Sequence, residues 1–488
     1  MSQEVRDLSP RLLWNSFADL NAVPRASKKE ERVIAFMMNF GNSLGLETRK
    51  DAIGNVVIKK PATPGMENRE TVIIQSHLDM VHQKNNDTTF DFDTQGIDMY
   101  VDGDWVKARG TTLGADNGIG VAAIMSVLAS KDIAHPAIEA MFTIDEETGM
   151  TGALQLDPSN FSGKILLNLD TEEEDELTIG CAGGIDTNTK GTYTEVAPTT
   201  GSIAYQVEVK GLMGGHSGMD ISKYRGNANK LMNRLLYTVL GSIPVTVASI
   251  DGGSLRNAIP RESRAVVVIN GADKATFEQL VKDYTATITT EYTSLEANLT
   301  VTCEHTELPA KVMDPAYFSQ LVRVLYAVPN GVFRMSPDIA GLVEASTNLA
   351  RVIVKEGTFI TQSLQRSSVE STKRDVANAV KAGFEVIGCE IVQNGDYPGW
   401  KPNADSALLQ LMLKQYGQHF DHTPHVGACH AGLECGILGA HFHGGLDMIS
   451  FGPTIRGAHS PNETVQISSV EKFYGYLLDI LKEIPVKQ

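Results

Sequence analysis

TVIIQSHLD, residues 71–79, is an apolar run that ends in a histidine and an aspartate. Consecutive Val and Ile residues are typical of a strand that is buried on both faces, as in the parallel sheets of α/β proteins. His77 then lies just past the end of the strand, and Asp79, two residues further on, points to the same side. The stretch therefore predicts a parallel sheet that presents an imidazole and a carboxylate at a strand end.

Four further segments bring similar side chains to the ends of apolar runs or to a glycine-rich turn. These side chains are Asp116, Glu146, Glu147, Asp170 and His459. Imidazole and carboxylate are the ligands of a hydrolytic pair of Zn²⁺ ions, in which one carboxylate bridges and a water is activated. A single residue of this kind is most often an ordinary turn or surface residue. The whole set, in compatible order, instead favours a two-metal site for peptide or amide hydrolysis.

Local geometry indicates how the acidic residues differ in role. Asp116 belongs to a glycine-rich turn, residues 114–120, which leads into an apolar helix, so both of its oxygens are free to bridge two cations. Glu146 and Glu147 follow a predicted strand, and neighbours on an extended chain point apart. We therefore expect at most one of the two to be a metal ligand, and the other to be available as a general base.

The segments around these residues resemble the five metal-site motifs of the co-catalytic zinc peptidases, a family that includes carnosinases, aminoacylases and tripeptidases. The motifs are HLDMV (77–81), GADNG (114–118), DEETG (145–149), NLDTEEE (168–174) and GAHSP (457–461). The resemblance runs from end to end and is strongest for the aminoacyl-histidine dipeptidase branch, to which YPGW (397–400) is also similar. It implies hydrolysis of dipeptides with a free C-terminal carboxylate, with a preference for Xaa-His and carnosine-like substrates.

The resemblance also implies a role for each residue of the site. Two Zn²⁺ ions, for which Co²⁺ or Mn²⁺ can substitute, would take as ligands His77, Asp116 and Asp170 for one ion, and Asp116, Glu147 and His459 for the other. Glu146 would be the general base for attack by a metal-bridging hydroxide. Asp79 would orient His77, since a metal-bound histidine usually donates its second ring N–H to a carboxylate. A simple salt bridge is the alternative role for Asp79.

Three residues in the middle of the chain are assigned to the substrate by the same resemblance. His216 lies among glycines that let a backbone approach a ligand closely, and it would stabilise the tetrahedral oxyanion. Asn257 would contact the peptide backbone, and Arg366 would grip the substrate carboxylate, to which a bidentate arginine is suited. The structural alternatives are a turn-capping role for His216 and a turn or salt-bridge role for Asn257 and Arg366.

Composition narrows the class of protein. A chain of 488 residues exceeds one ordinary core, so two or more domains are expected. The net charge of −17 argues against a nucleic-acid partner. The sequence has neither an eighteen-residue apolar run nor an apolar signal segment, so we expect a cytoplasmic protein without a membrane partner. The five cysteines are few and lack zinc-knuckle spacing, which indicates reduced thiols.

Strands and helices alternate over residues 10–181 and again near the C-terminus, which is typical of a mixed, largely parallel sheet flanked by helices. Because ligands from both ends of the chain must converge, residues 1–183 and 395–488 are predicted to form one α/β catalytic domain. Residues 184–394 are predicted to form a large α+β lid domain inserted into it. Its strands and helices occur twice in ferredoxin-like order, and the second half is expected to open with a strand at 299–303.

Two other functions are compatible with the same scaffold. A deacylase or aminoacylase would keep all five ligands but prefer N-acyl substrates to a free α-amine. A non-catalytic metal- or peptide-binding protein would be expected to lose Glu146 or a ligand, and the sequence retains them all. A homodimer is left open, because relatives with a short lid take the equivalent of His216 from a partner subunit, whereas a doubled lid allows delivery within one chain.

Overall fold

The computed structural model describes residues 3–487, which form two compact units. Unit 1 contains the chain up to Gly180, Trp400–Ala428 and the chain from Leu433 onward; unit 2 contains Cys181–Gly399 and Cys429–Gly432. The predicted boundaries, after residues 183 and 394, lie three and five residues from those after 180 and 399. The return of residues 429–432 to unit 2 was not predicted.

The first part of unit 1 supplies most of its core strands. Its elements are α1 (Gln3–Arg6), α2 (Arg11–Asn21), α3 (Glu31–Ser43), β1 (Glu47–Lys50), β2 (Val56–Lys60), β3 (Val72–His77), β4 (Met99–Asp102), β5 (Trp105–Ala108), α4 (Ala115–Ala129), β6 (Ile138–Thr143), α5 (Glu146–Gly149), α6 (Thr151–Leu154), β7 (Ile165–Asn168) and β8 (Glu176–Cys181). β3 and β6 are buried at every position, as a strand covered on both faces requires. α4 is buried on nearly all sides, so it is a core helix.

Unit 2 is built on one large antiparallel sheet. Its elements are β9 (Gly183–Thr192), β10 (Glu195–Val196), β11 (Ser202–Lys210), β12 (Gly215–His216), α7 (Ala228–Leu240), β13 (Val245–Gly252), β14 (Ala258–Ile259), β15 (Ser263–Asn270), α8 (Lys274–Glu291), β16 (Thr300–Thr306), β17 (Val312–Met313), α9 (Pro315–Ala327), β18 (Gly331–Met335), β19 (Val343–Lys355), β20 (Thr358–Ser367), α10 (Glu370–Glu385) and β21 (Glu390–Tyr397). The strand order is β16-β11-β15-β13-β19-β20-β9-β21, with β18 beside β19. Apolar side chains of the strands and of α7, α8, α9 and α10 form its main core.

The strand order contains two ferredoxin-like halves. In the first, β11-α7-β13-β15-α8-β16, the last strand lies beside the first. In the second, β9-α9-β19-β20-α10-β21, the same order recurs. The prediction that the strand near 299–303 opens the second half is wrong, because that strand, β16, pairs with β11 and closes the first. The first half is inserted between β9 and α9, and the order of elements along the chain does not reveal which strands pair.

The last part of the chain completes unit 1. Its elements are α11 (Ala407–Tyr416), β22 (His425–Cys429), α12 (Glu434–His441), β23 (Asp447–Ser450), β24 (Ile455–Arg456), β25 (Thr464–Gln466) and α13 (Ile467–Glu483). The main sheet has the order β1-β2-β6-β3-β7-β23-β8-β22, in which β6, β3, β7 and β23 are parallel. The predicted mixed, largely parallel sheet is confirmed. Since parallel strands end at one edge, the residues after β3, β6 and β7 meet there.

A smaller sheet ties the end of the chain to its first part. Its order is β24-β25-β5-β4, and Thr464 pairs with Lys107 while Val465 pairs with Val106. This pairing holds the segment that contains His459 beside the segment that leads to Asp116.

Two predictions from composition concern the whole chain. Across the part of the chain that the structure describes, no helix is long and apolar enough to cross a membrane. Within residues 3–487 no disulfide joins any of the five cysteines, which are Cys181, Cys303, Cys389, Cys429 and Cys435.

Candidate metal centre

One predicted ligand set is assembled around the end of β3. The side chain of His77 is only 1% exposed, and its Nε2 lies 3.2 Å from Asp116 Oδ1 and 3.4 Å from Asp170 Oδ1. One ligand atom from each of the three residues lies within 4.8 Å of the others. Asp116 and Asp170 are also nearly buried, so their charges are poorly screened by water.

The second predicted set is assembled next to the first. His459 Nε2 lies 3.1 Å from Asp116 Oδ2 and 3.0 Å from Glu147 Oε2. Asp116 therefore turns one oxygen toward His77 and the other toward His459. This is the arrangement that a carboxylate must have to bridge two cations.

Asp79 contacts more than the histidine that it was predicted to orient. Its Oδ1 lies 3.4 Å from His77 Nδ1, whereas the Asp79 carbonyl oxygen is closer to that nitrogen, at 3.1 Å. The shorter bonds to its carboxylate come from the N–H of Glu146, at 3.0 Å, and the hydroxyl of Ser27, at 2.8 Å. The N–H of Glu147 also donates to it, at 3.3 Å. Asp79 thus holds the backbone under both glutamates as well as facing His77.

The premise used to separate Glu146 from Glu147 is wrong. Asp145 has a left-handed backbone, with φ 55°, and the chain turns directly into the short helix α5 rather than continuing as a strand. Both glutamates consequently approach His77, and one ligand atom from each of these three residues lies within 4.8 Å of the others. Glu147 is distinguished by its contact with His459 and by a second oxygen, Oε1, that is buried without a hydrogen-bond partner.

The crowding of charged groups shifts their pKa values strongly. Burial raises the pKa of Glu146 well above its ordinary value, and the nearby carboxylates of Asp170 and Glu434 add to the increase. The hydrogen bonds that His459 donates to the carboxylates of Asp116 and Glu147 raise its pKa to about 11. Burial alone would raise the pKa of Asp116, but its hydrogen bonds with the two histidines outweigh burial and lower it.

The donor set fits a pair of divalent cations. Among residues 3–487, no Lys or Arg forms an ion pair with any of the four acidic side chains, and the ion pairs that they do form are with the two histidines. These acidic residues are Asp116, Glu146, Glu147 and Asp170. Imidazole nitrogen and carboxylate oxygen are the donors that Zn²⁺ and related ions prefer. Oε1 of Glu147 is buried and accepts no hydrogen bond from the described residues, so it is available as a further metal-ligand atom.

Sequence reasoning missed two buried charged residues that hold the Asp116 loop. Arg25, 1% exposed, donates to the carbonyl oxygens of Leu78, Asp79 and Gly114. Glu463, 3% exposed, accepts from four consecutive backbone N–H groups, residues 113–116. The only signal for Glu463 was its position two residues beyond the GAHSP motif, and Arg25 carried none.

The carboxyl of Glu434 is also buried, 1% exposed, beside the strands that end at the centre. Glu434 Oε2 accepts from Gln75 Nε2 and from the hydroxyl of Thr143, each at 2.7 Å. Gln75 Oε1 in turn accepts from Asn168 Nδ2. The network joins the ends of β3, β6 and β7 and so fixes the edge on which the predicted ligands lie.

The predicted substrate residues of unit 2 form a separate group. Arg366, on β20, is 4% exposed; its Nη1 donates to Tyr397 Oη at 2.8 Å and its Nη2 lies 3.5 Å from His216 Nε2. Within the described chain no carboxylate forms an ion pair with Arg366. Burial raises the pKa of Asp186 and the nearby charge of Arg366 partly offsets this increase, but the ion pair of Asp186 is with Arg256 Nη1, 2.6 Å from its Oδ2. The group therefore carries a buried positive charge without a counter-ion.

The tautomer of His216 follows from its backbone contacts. Its Nδ1 accepts from the N–H groups of Gly218 and Met219, at 3.2 and 3.1 Å. Burial and the charge of Arg366 lower the pKa of His216, which favours the neutral ring. The remaining proton is then on Nε2, so Nε2–H and the guanidinium of Arg366 are two donors that face each other.

Asn257 lies beside this group through its backbone. The Asn257 carbonyl oxygen accepts from the N–H of Ser217 at 2.8 Å, and β12, which ends at His216, pairs with β14, which begins directly after Asn257. The Asn257 side chain is exposed. The structure thus brings His216, Asn257 and Arg366 together in unit 2.

Comparison with known proteins gives consistent results. A family model described as Peptidase family M20/M25/M40 matches residues 73–483. The cytosol non-specific dipeptidase of Escherichia coli (strain K12) is 40% identical over 485 residues, which are 99% of this chain and 100% of that protein. The crystal structure of aminoacylhistidine dipeptidase from Vibrio alginolyticus is 42% identical with a TM-score of 0.95, covering 100% of this chain and 99% of that one. Aminopeptidase PepT from Bacillus cereus, 16% identical over 98% of this chain and 99% of its own, has the same fold with a TM-score of 0.57. This chain therefore belongs to peptidase family M20/M25/M40, a family of metallopeptidases.

Proposed function

We propose that this protein is a two-metal dipeptidase. The observation that carries the proposal is the position of Asp116. Its Oδ1 lies 3.2 Å from His77 Nε2 and its Oδ2 lies 3.1 Å from His459 Nε2. His77, Asp116 and Asp170 would hold one Zn²⁺, and the set of Asp116, Glu147 and His459 the other. The dipeptidases of Escherichia coli and Vibrio alginolyticus support the substrate class, since each resembles nearly the whole chain.

The chemistry of the proposed reaction is divided between the metals and Glu146. When bound, a pair of divalent ions polarises the scissile carbonyl and lowers the pKa of a water molecule. Glu146 takes a proton from the attacking water and delivers it to the leaving amine. Asp79 fixes the position of Glu146 by accepting its backbone N–H.

The substrate carboxylate is assigned to Arg366. A buried guanidinium without an ion-pair partner favours an anionic ligand, and a carboxylate can accept two hydrogen bonds from Arg366. Burial raises the pKa of Tyr397, so its hydroxyl keeps its proton beside the same guanidinium. His216 is also the candidate donor to the developing oxyanion, and Asn257 the candidate contact to the peptide backbone.

The finer features of the proposal come from the relatives. The name of the Vibrio alginolyticus protein supports a preference for a C-terminal histidine, and we extend that preference to this chain. The name of the Escherichia coli protein supports a cytosolic location. Zn²⁺ is proposed as the native metal because its preferred donors match the two ligand sets.

A substrate panel tests the proposal. Metal-stripped and Zn²⁺-restored protein is assayed with Ala-His, β-Ala-His, Ala-Ala, Ala-His-amide, Ala-His-Ala and N-acetyl-His. We expect hydrolysis only after metal is restored, with the highest kcat/KM for Xaa-His and weak activity on the amide and the tripeptide. Preferential hydrolysis of N-acetyl-His would show an aminoacylase instead. Equal rates for Ala-His and Ala-Ala would remove only the preference for histidine.

A further inference from the structure

We propose that Glu463 is a positioning residue for the metal centre, because it fixes the backbone of the loop that carries Asp116. The proposal rests on the two-metal site proposed above. Among the proposed metal ligands, the Glu463 side chain contacts only Asp116, and it does so at the backbone N–H. Glu463 lies four residues after His459, so one short segment would supply a ligand and hold the loop of another.

The contacts of Glu463 use both of its oxygens. Oε2 accepts from the N–H groups of Leu113 and Gly114 at 2.7 and 2.9 Å, and Oε1 accepts from those of Ala115 and Asp116 at 2.7 and 3.1 Å. A carboxylate is an acceptor only, whereas the amide of a glutamine would direct an NH₂ group at two of these donors. The buried site is therefore specific for a carboxylate.

These four N–H groups lie on the backbone that leads into the regular part of α4, since Asp116 and Asn117 have non-helical dihedral angles. Neither Gly114, the residue before the helix, nor any local side chain caps them. A negative charge is also favoured beside a row of successive backbone N–H groups of this kind. In this protein that charge comes from a residue about 350 positions away, so the cap joins two distant parts of the chain.

Arg25 holds the same loop from its carbonyl side. It donates to the carbonyl oxygen of Gly114 and, at 3.1 Å, to those of Leu78 and Asp79, next to His77. Gly114 and Gly118 leave room for the guanidinium, because a Cβ at either position would lie 2.5 or 2.6 Å from its Nη2. The loop is thus held between two buried opposite charges and tied to the end of β3.

The consequence concerns the direction of the Asp116 side chain. Asp116 has a non-helical backbone, with φ −80° and ψ 110°, so the geometry of the helix does not itself fix where its carboxylate points. Its amide is instead held by Glu463, and in a two-metal site its two oxygens would face two separate cations. Loss of the Glu463 carboxylate would let the loop relax. Substitution of a residue that orients a metal ligand typically weakens metal binding by about 10- to 100-fold.

The experiment compares the full-length wild type with Glu463→Gln and Glu463→Asp. Glu471→Gln is the matched control, since Glu471 is an exposed glutamate on α13, eight residues further along the same segment. Metal-free protein is titrated with Zn²⁺ by calorimetry and with Co²⁺ by visible absorption, which reports the ligand geometry. The melting temperature of each metal-free protein is measured in parallel, because a purely structural residue would change this quantity alone.

We expect Glu463→Gln to bind Zn²⁺ about 10- to 100-fold more weakly, with an altered Co²⁺ spectrum and activity that recovers partly in excess metal. Glu463→Asp keeps the charge but is one methylene shorter, so it should lose less affinity, and it preserves the test if the glutamine variant does not fold. The control should match the wild type throughout.

Two outcomes overturn the proposal and are distinguishable. If Glu463→Gln binds Zn²⁺ with the affinity, stoichiometry and Co²⁺ spectrum of the wild type, Glu463 does not position the centre, whether or not the metal-free melting temperature falls. In that case the proposed dipeptidase function still stands. If the wild type itself binds no Zn²⁺ or Co²⁺, the two-metal function and the inference fail together.

Discussion

In unit 1, the carboxylates of Asp116, Glu147 and Asp170 crowd around two histidines without any Lys or Arg partner among the described residues. In unit 2, Arg366 is buried, and no carboxylate within residues 3–487 forms an ion pair with it. The first group has an excess of negative charge and the second an excess of positive charge. Burial of unpaired charge is costly, so each group indicates the sign of the ligand that completes it.

The two groups also differ in how they are held in place. In unit 1, the backbone is held by buried charges such as Arg25, Glu463 and Asp79, all of which bond to main-chain groups. In unit 2, Arg366 donates to the neutral hydroxyl of Tyr397 and lies beside the neutral ring of His216, and neither group cancels its charge. A cation and an anionic end of a substrate are therefore the predicted ligands, and each can be removed in turn.

Removal of the cation should have the largest effect. Activity is expected to vanish when the protein is stripped with a chelator and to return with Zn²⁺, Co²⁺ or Mn²⁺, because the crowded acidic residues supply no Lewis acid of their own. Elemental analysis must accompany the assay. Full activity in protein shown to contain no metal would end the two-metal hypothesis.

Removal of the proposed base should come next. Glu146→Gln is expected to lower kcat by about 10²- to 10⁴-fold while metal content stays at the level of the wild type. Glu31→Gln, at an exposed glutamate in α3 of the same unit, is the control and should retain full activity. Loss of one metal equivalent in Glu146→Gln would mean that Glu146 and Glu147 have exchanged roles.

These two experiments test the part of the site that the sequence indicated best. Strands β3, β6 and β7 were predictable because apolar runs mark buried strands, and the residues after such strands had to meet at one edge of a parallel sheet. The division between Glu146 and Glu147 was predicted from the wrong local structure, since the left-handed Asp145 that starts α5 has no clear sequence signature.

The parts that could not be predicted depend on long-range pairing. The insertion of one ferredoxin-like half into the other is defined by strand partners, and a sequence shows only the order of strands. Arg25 and Glu463 bond to backbone groups, which every residue type carries, so no side-chain pattern marks their targets. Arg366 and His216 were found only through a family resemblance, because their contact joins separate loops and strands.

The anionic end of the substrate is the next test of the comparison. Ala-His-amide should lose about 2–5 kcal/mol of transition-state binding relative to Ala-His, since truncation of one partner of a buried charged pair has a cost of this size. Arg366→Met should lose most activity on Ala-His and most of its discrimination between the acid and the amide. Arg323→Met, at an exposed arginine of α9, is the control. Unchanged discrimination in Arg366→Met would place the carboxylate site elsewhere.

The smallest predicted effect concerns His430, a buried histidine near Arg366 that would add a second positive charge if it were protonated. His430 is 7% exposed, its Nε2 lies 2.8 Å from Ser346 Oγ, and burial, with the charge of Arg366, lowers its pKa to about 3. A histidine in the unfolded chain has a pKa of about 6.5. Between pH 3 and that value the unfolded chain binds more protons than the folded one, so the free energy of unfolding rises with pH. Above the pKa of the unfolded histidine, the contribution of His430 to the free energy of unfolding is constant. This contribution is lost progressively as the pH falls toward 3.

Lowering the pH from 7 to 5 should therefore reduce the free energy of unfolding by about 2 kcal/mol through His430 alone. The measurement is chemical denaturation of metal-free protein at both pH values, for the wild type and for His430→Gln. The variant should lose this part of the pH dependence, because it has no imidazole to protonate, whereas His425→Gln, at an exposed histidine of β22, should keep it. Equal pH dependence in all three proteins would mean that His430 accepts a proton in the folded state, and the group around Arg366 would then carry a second positive charge.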